Sequence, residues 1–468
     1  MVTRMDVEID LAFYGDDFTG STDALESLAT RGVRARLFFD PPTDADADLV
    51  DSLDAVGVAG RSRSMSPAEM DATLPPAFEA LVDLDPEIIH YKVCSTFDSS
   101  SSVGSIGHAI DLGVAATGSP FVPVVVAAPS LAPRGRYVAF GNLFARQHGE
   151  PYRLDRHPTM RRHPVTPMTE ADIRRHLGAQ TDRTIGLVDV VDLEQQAQRQ
   201  FTAVRDANDI VVFDGISADH QRTAGQLIWN AALEIEAPIF AAASSGLGYG
   251  LTAHWQDHGT IGDAGPPDRL PEVERLLVMS GSAAPETAAQ IEWALSTCYR
   301  SHRLDSAALI DPATSSDAIA AAIDAAGSAL TEAEPIILYT ARGPEDPAIA
   351  TTNERADQLD LSKGDLRRRL GTAQGRITRA VLEAFSVERL CVAGGDTSGL
   401  VASALDIRAV DYGAPVAPGS PICIALGDDP VTDGLELAFK GGQVATESPH
   451  ADYFERVRLG GSVEQTAQ

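Results

Sequence analysis

From residue 9 to about 130, short apolar runs alternate with segments whose apolar positions recur at helical spacing. Residues 11–14, 55–59, 88–93 and 121–127 read as strands, and 21–31, 67–82 and 104–116 as helices. The run from Phe121 to Ala127 is apolar throughout, as a parallel strand covered on both faces should be. This β-α rhythm predicts a parallel sheet with right-handed crossovers. Runs at 183–190, 209–215 and 238–244 add three strands, with helices near 169–178, 193–205 and 219–235. The Gly- and Pro-rich segment 257–271 reads as a linker. Beyond it the rhythm restarts, with strands at 276–279, 335–339 and 390–392. The expected fold is α/β with two domains, 1–262 and 272–468, each a largely parallel sheet flanked by helices.

Parallel strands share a direction, so the loops that follow them converge on one edge, where open α/β sheets hold their ligands. The first such loop is Asp16-Asp17-Phe18-Thr19-Gly20, just before the helix that begins Ser21-Thr22-Asp23. Two adjacent carboxylates, a hydroxyl and a glycine suit proton abstraction from a substrate hydroxyl. They suit metal or polyol binding equally, and they are also ordinary residues of a capped turn. The next loops are Gly60-Arg61-Ser62-Arg63-Ser64 and Cys94-Ser95-Thr96-Phe97-Asp98-Ser99-Ser100, followed by a long polar stretch, 129–166. That stretch holds seven arginines between Arg134 and Arg162, Arg136 among them, with His148, His157 and His163. Its acids between 134 and 163 are only Glu150 and Asp155. Such a local positive field would draw in an anionic substrate or phosphates; the alternative is pairing with surface aspartates. The Gly-rich turn expected at 244–250 suits either a ligand or tight packing.

Composition narrows the partners. The 468 residues carry a formal net charge of -30, and only Lys92, Lys363 and Lys440 are lysines among the 37 basic residues. Many Asp and almost no Lys suggest adaptation to high salt, where a Debye length of about 3 Å at 1 M screens self-repulsion. A GC-rich genome would leave the same trace. Nucleic acid is not an expected partner of so acidic a chain. Cys94, Cys298, Cys391 and Cys423 are scattered with no C-x-x-C pair, which argues for reduced thiols in a cytoplasmic protein and against a zinc site. With no apolar segment resembling a signal peptide or a membrane span, neither secretion nor membrane insertion is expected.

In the second half, Ser280-Gly281-Ser282 and Gly394-Gly395-Asp396-Thr397-Ser398 each lead from a strand into a helix. Bare N–H groups and the helix dipole at such a start favour phosphate. Two more Gly turns follow, Ala417-Pro418-Gly419-Ser420 and Lys440-Gly441-Gly442-Gln443. There is no P-loop G-x-x-x-x-G-K-[ST] and no dinucleotide G-x-G-x-x-G after a strand. Separate Gly/Ser/Thr turns fit a mononucleotide laid across several loops. Lys440 is a candidate phosphate partner or, equally, a solvated surface lysine.

Taken in order, Asp16-Asp17-Phe18-Thr19-Gly20, Ser62-Arg63-Ser64, Tyr91-Lys92-Val93-Cys94-Ser95-Thr96-Phe97-Asp98-Ser99, His163-Pro164-Val165-Thr166-Pro167-Met168, Ser280-Gly281-Ser282, Gly394-Gly395-Asp396-Thr397-Ser398 and Ala417-Pro418-Gly419 resemble the four-carbon acid sugar kinase family over essentially the whole chain. The resemblance implies an N-terminal sugar-acid-binding domain, a C-terminal nucleotide-binding domain, and ATP-dependent phosphorylation of a small sugar acid at its terminal hydroxyl. The form of the Lys92–Asp98 segment looks closer to 3-oxo-tetronate kinases than to threonate kinases. Residues 101–105 and 129–142 depart from the commoner pattern and bring in a branched acid of the 3-oxo-isoapionate type.

On that resemblance, two domains close over a cleft that holds the active site, and Asp17 or Asp16 acts as base. Arg63, Lys92, Ser95, Thr96, Asp98 and Arg136 are the expected substrate ligands. Ser280, Gly281, Ser282, Gly394, Gly395, Asp396, Thr397, Gly419, Lys440 and Gly441 are those expected for ATP, with Mg²⁺ bridging its phosphates through ligands the sequence does not name. The competing classes are a sugar-acid sensor without chemistry and a nucleotide-independent lyase or hydrolase with a metal on Asp16 and Asp17. The oligomeric state stays open, a homodimer among the options.

Overall fold

The computed structural model describes residues 9–131, 135–147, 149–162, 166–262, 265, 267–442, 444 and 452–461. Arg134, His148, His163, Pro164, Val165, Gln443 and the side chain of Asp396 lie outside the described residues. Two compact units divide the chain, Met1–Gly265 and Pro266–Gln468.

The strands of the first unit are β1 (Leu11–Gly15), β2 (Ala35–Phe38), β3 (Ala55–Ala59), β4 (Ile88–Lys92), β5 (Val122–Val125), β6 (Arg136–Ala139), β7 (Asn142–Gln147), β8 (Glu150–Arg153), β9 (Ile185–Val188), β10 (Ile210–Phe213) and β11 (Ile239–Ala243). Eight of them form one sheet in the order β2-β3-β1-β4-β11-β5-β10-β9, and each pairing within it is parallel. Successive side chains alternate between its faces. Ala12 and Tyr14 of β1 pack with Met70, Leu74, Phe78 and Leu81 of the helix Pro67–Val82. That helix starts at a capping box, in which Ser66 N donates to Glu69 Oε2 at 2.8 Å. Leu11 and Phe13 point to the other face and are likewise fully buried. Burial on both faces explains the nearly unbroken apolar runs.

The arginine-rich stretch is not a loop. It folds as a small antiparallel sheet, β6-β7-β8. Isolated bridges tie Arg136 to Ala128 and Val138 to Gly215, so the small sheet is fastened to the chain just past β5 and β10. Its first turn, Phe140-Gly141, has φ of 50° and 76°. The buried Asp214 accepts the N–H groups of Phe140 and Gly141 at 2.5 and 2.8 Å and so holds this left-handed pair. The Gly-rich stretch at 244–250 is also not a turn: it opens the helix Ser245–Asp257. Gly246, Gly248 and Gly250 let this helix approach the Ala127 carbonyl, Ser27 and the Gln221 carbonyl, which a Cβ at each position would strike.

The second unit contains β12 (Leu276–Ser280), β13 (Arg300–Arg303), β14 (Ile336–Tyr339), β15 (Arg389–Ala393), β16 (Ala409–Ala417), β17 (Ser420–Leu426) and β18 (Glu436–Lys440). Their order is β13-β14-β12-β15-β18-β17-β16. The first five are mutually parallel; β17 pairs antiparallel with β18, and β16 antiparallel with β17. Among the described residues, no helix is long and apolar enough to cross a membrane.

Candidate active site

β1 ends at Gly15, and the chain turns at once into the helix Phe18–Ala29. Asp17 is its N-cap, with Oδ1 accepting from Gly20 N at 2.7 Å. The capped-turn reading of this loop therefore holds, and the cap also places the second carboxylate. Arg63, from the turn after β3, meets Asp16 with Nη2 at 2.6 Å and Nε at 3.0 Å. Its Nη1 reaches Asp17 Oδ2 at 2.7 Å. Such a planar fork fixes both carboxylates in a way a lysine could not. The Asp16 side chain is 5% exposed and that of Asp17 32%. Burial and the neighbouring Asp17 push the Asp16 carboxyl above its ordinary pKa, against the pull of Arg63 and Lys92. Asp16 and Asp17 together raise the guanidinium of Arg63 well above its ordinary value, against burial, which acts to lower it.

Lys92 closes the cluster at the end of β4. It is 2% exposed, and its Nζ pairs with Asp23 Oδ2 at 3.0 Å. The sequence reading missed Asp23, although helical spacing puts it on one face with Gly20. A Cβ on Gly20 would meet Asp17 Oδ1, Lys92 Nζ and Arg63 Nη2, so this glycine is the floor on which the charged groups converge. Gly104 is a second missed residue. At φ 58° it donates its N–H to Met65 O, and a Cβ there would strike the Arg63 carbonyl. The unusual 101–105 segment thus seats the backbone of Arg63.

The remaining substrate candidates take other places. The Thr96 hydroxyl donates to Asp98, whose other oxygen accepts from Thr166 at 3.0 Å. All three are buried, and their bonds brace the loop from inside. Ser95, on that loop, is half-buried. Ser99 ties the same loop to His176 Nε2 at 2.8 Å and to Gln180 at 3.0 Å. Arg136 sits past the end of β5, three strands from β1, outside the cluster around Asp17.

In the second unit the Gly turns do come together. Gly281 N donates to Ala393 O at 2.9 Å, and Gly394 N to Lys440 O at 2.8 Å. A Cβ on Gly281 would land on Thr397 Oγ1, and one on Gly442 would come 2.9 Å from Ser282 Oγ. Gly394, at φ 124°, precedes the helix Gly395–Ala404, at whose start nothing crowds Gly395. The Pro418-Gly419 turn lies at the same edge, since Ser420 Oγ bonds Phe439 O at 2.7 Å. Ser280 is wholly buried within β12. Lys440 is also wholly buried, which corrects the solvated-lysine reading. Its ammonium bonds Thr287 Oγ1 at 2.8 Å and the carbonyls of Gly441 and Gly442 at 3.1 and 3.3 Å, over the Tyr453 ring. Burial lowers its pKa to about 8. It clamps the Gly441-Gly442 turn from beneath.

Residues 11–251 match the sugar-binding N-terminal domain, and residues 277–448 the nucleotide-binding C-terminal domain, of one family. The chain belongs to the four-carbon acid sugar kinase family. It is 42% identical over 452 residues to a 3-oxo-isoapionate kinase of Paraburkholderia graminis, covering 96% of this chain and 94% of that one. It is 30% identical to a 3-oxo-tetronate kinase of Pseudomonas fluorescens, covering 92% and 93%. A crystal structure described as a putative tRNA synthase from Salmonella typhimurium shares the fold at a TM-score of 0.73 and 23% identity, over 96% of this chain and 99% of that one. A Haemophilus influenzae protein follows at 0.68 and 21%, over 95% and 98%. A four-carbon acid sugar kinase is a phosphotransferase with an alcohol acceptor, and this membership disfavours both the sensor and the lyase readings.

Proposed function

We propose that this kinase transfers the γ-phosphoryl group of ATP to the terminal hydroxyl of a 3-oxo sugar acid, with the branched 3-oxo-isoapionate its foremost substrate. The observation that carries the mechanism is the Arg63 fork. It buries Asp16 and leaves Asp17 half-exposed at a helix start. Each oxygen of Asp17 accepts one bond from the protein and keeps a lone pair for a substrate O–H. Asp17 takes the proton of that hydroxyl as its oxygen attacks the γ-phosphorus and ADP leaves. Asp16 acts through Arg63, whose charge and position it sets. Phosphoryl transfer asks mainly for such positioning and charge balance.

The turns at 280–282, 394–397 and 441–442 hold the phosphates through backbone N–H groups, and Lys440 shapes the last of them. Mg²⁺ would ride on the triphosphate and offset its charge. Among the described residues no group of three or more His, Cys, Asp or Glu could hold a metal ion. That fits Mg²⁺ carried mainly by phosphate oxygens and water. The preference for the branched acid rests on the 42% identical relative, against 30% for a 3-oxo-tetronate kinase.

The test is ADP production by the purified protein in molar KCl with Mg²⁺, over 3-oxo-isoapionate, 3-oxo-tetronates and threonate. Turnover should be fastest with 3-oxo-isoapionate. Turnover that depends on none of these acids would overturn the reading.

A further inference from the structure

The charged cluster poses a problem for an acid substrate. Arg63 and Lys92 face Asp16, Asp17 and Asp23, two cations against three carboxylates, and both cations are engaged. The cluster therefore repels a further carboxylate, and the acid end of the substrate must be received elsewhere.

The same sheet edge offers a receptor of opposite sign. In register, Gly15 of β1 stands opposite Lys92 of β4, and Lys92 opposite Ala243 of β11. One step beyond this row lie Asp16 on one side and Ser244 on the other. Ser244 caps the 13-residue helix Ser245–Asp257, its Oγ accepting from Gly246 N at 3.0 Å. The first N–H groups of a helix lack partners inside it and carry its positive pole. Ser245, the first helical residue, is 1% exposed, and its Oγ is buried with no hydrogen-bond partner. Gly246 N is taken by Ser244 Oγ and Leu247 N by Ser244 O at 3.2 Å, so the Ser245 hydroxyl is the donor that this terminus has still to place.

We propose that the start of the helix Ser245–Asp257, with the Ser245 hydroxyl as its side-chain donor, receives the carboxylate of the sugar acid. The proposal rests on the kinase reading above and deepens it. Two strand spacings separate the Asp16 and Ser244 positions, about 10 Å, so the two ends of a small sugar acid can be received at separate points of this edge. The site thereby sorts the two ends of its substrate. Its negative end rejects the carboxylate and takes the neutral hydroxyl to Asp17, and its positive end holds the carboxylate. Phosphorylation then falls on the hydroxyl farthest from the acid.

The test compares wild type, Ser245→Ala, Ser245→Thr and Ser245→Glu with 3-oxo-isoapionate and its primary carboxamide, after melting temperatures have shown that each variant folds. Ser245→Ala should raise KM for the acid about tenfold and leave KM for the carboxamide, KM for ATP and kcat within twofold. Ser245→Thr should restore most of the loss. Ser245→Glu should abolish binding of the acid in calorimetry while ADP binding persists. Equal changes for acid and carboxamide, or no change in either, overturn this assignment and leave the kinase reading standing. If wild type neither binds nor turns over the acid, the kinase reading falls and this assignment falls with it.

Discussion

Nη1 of Arg63 lies 2.7 Å from Oδ2 of Asp17, while the other edge of the same guanidinium grips Asp16. One side chain thus sets the geometry of both carboxylates. A lysine offers one point charge and cannot span the two. Arg63→Lys should lower kcat about 100-fold with ADP affinity unchanged in calorimetry. Arg63→Ala would leave Asp16 buried beside Asp17 without its guanidinium partner and should cost about 3 kcal/mol in urea unfolding.

Asp17→Asn keeps a residue able to cap the helix and removes the proton acceptor. Turnover should fall by about 10³-fold while the melting temperature stays within a degree or two. Full activity in this variant would exclude Asp17 as base.

Gly104 sits at φ 58° against the Arg63 carbonyl. Gly104→Ala should cost about 1–3 kcal/mol from the backbone strain and the clash together. Because the displaced residue is Arg63, the kinetic effect should appear in kcat and in KM for the acid. KM for ATP should not move.

Gly281→Ala drives a methyl onto Thr397 Oγ1. Calorimetry with ADP should show affinity down at least tenfold, and binding of the sugar acid unchanged. Loss of acid binding with ADP binding intact would reverse the assignment of the two units.

His90 lies in β4 with Nε2 on the Ala243 carbonyl at 2.9 Å, and burial lowers its pKa to about 3. The unfolded chain binds this proton near pH 6.5, so the folded state is the poorer base. Stability should be complete above pH 6.5 and decline as the pH falls towards 3, by about 5 kcal/mol at the limit. His90→Gln should flatten that acid limb in urea unfolding measured from pH 7 to 4.

The parallel strands were legible because burial on both faces leaves an apolar run that hardly admits another reading. β6, β7 and β8 were not. They are short, partly exposed and rich in arginine, so neither alternation nor hydrophobicity marks them. The glycines at 246, 248 and 250 mimic a turn because their purpose, close approach to three backbone and side-chain neighbours, is tertiary. Asp16, Asp17 and Arg63 could be gathered in advance from the rule that parallel strands bring their loops to one edge. The partners of Lys92 and Lys440 could not. Asp23 and Thr287 meet them from helices, and a strand's spacing says nothing about which helical residue will face it.

The place of β11 bears on how the first unit is made. It is the last strand of that unit in the chain, yet it lies between β4 and β5. A nascent chain that has emerged only as far as residue 238 holds both neighbours but not the strand that joins them, and each presents an open hydrogen-bonding edge. Ser244 and Ser245 follow directly. Asp16 and Asp17 leave the ribosome more than two hundred residues before the helix proposed to receive the other end of the substrate. Until then the unit is an unfinished sheet with its central slot vacant, the state in which it most needs protection from pairing with another chain.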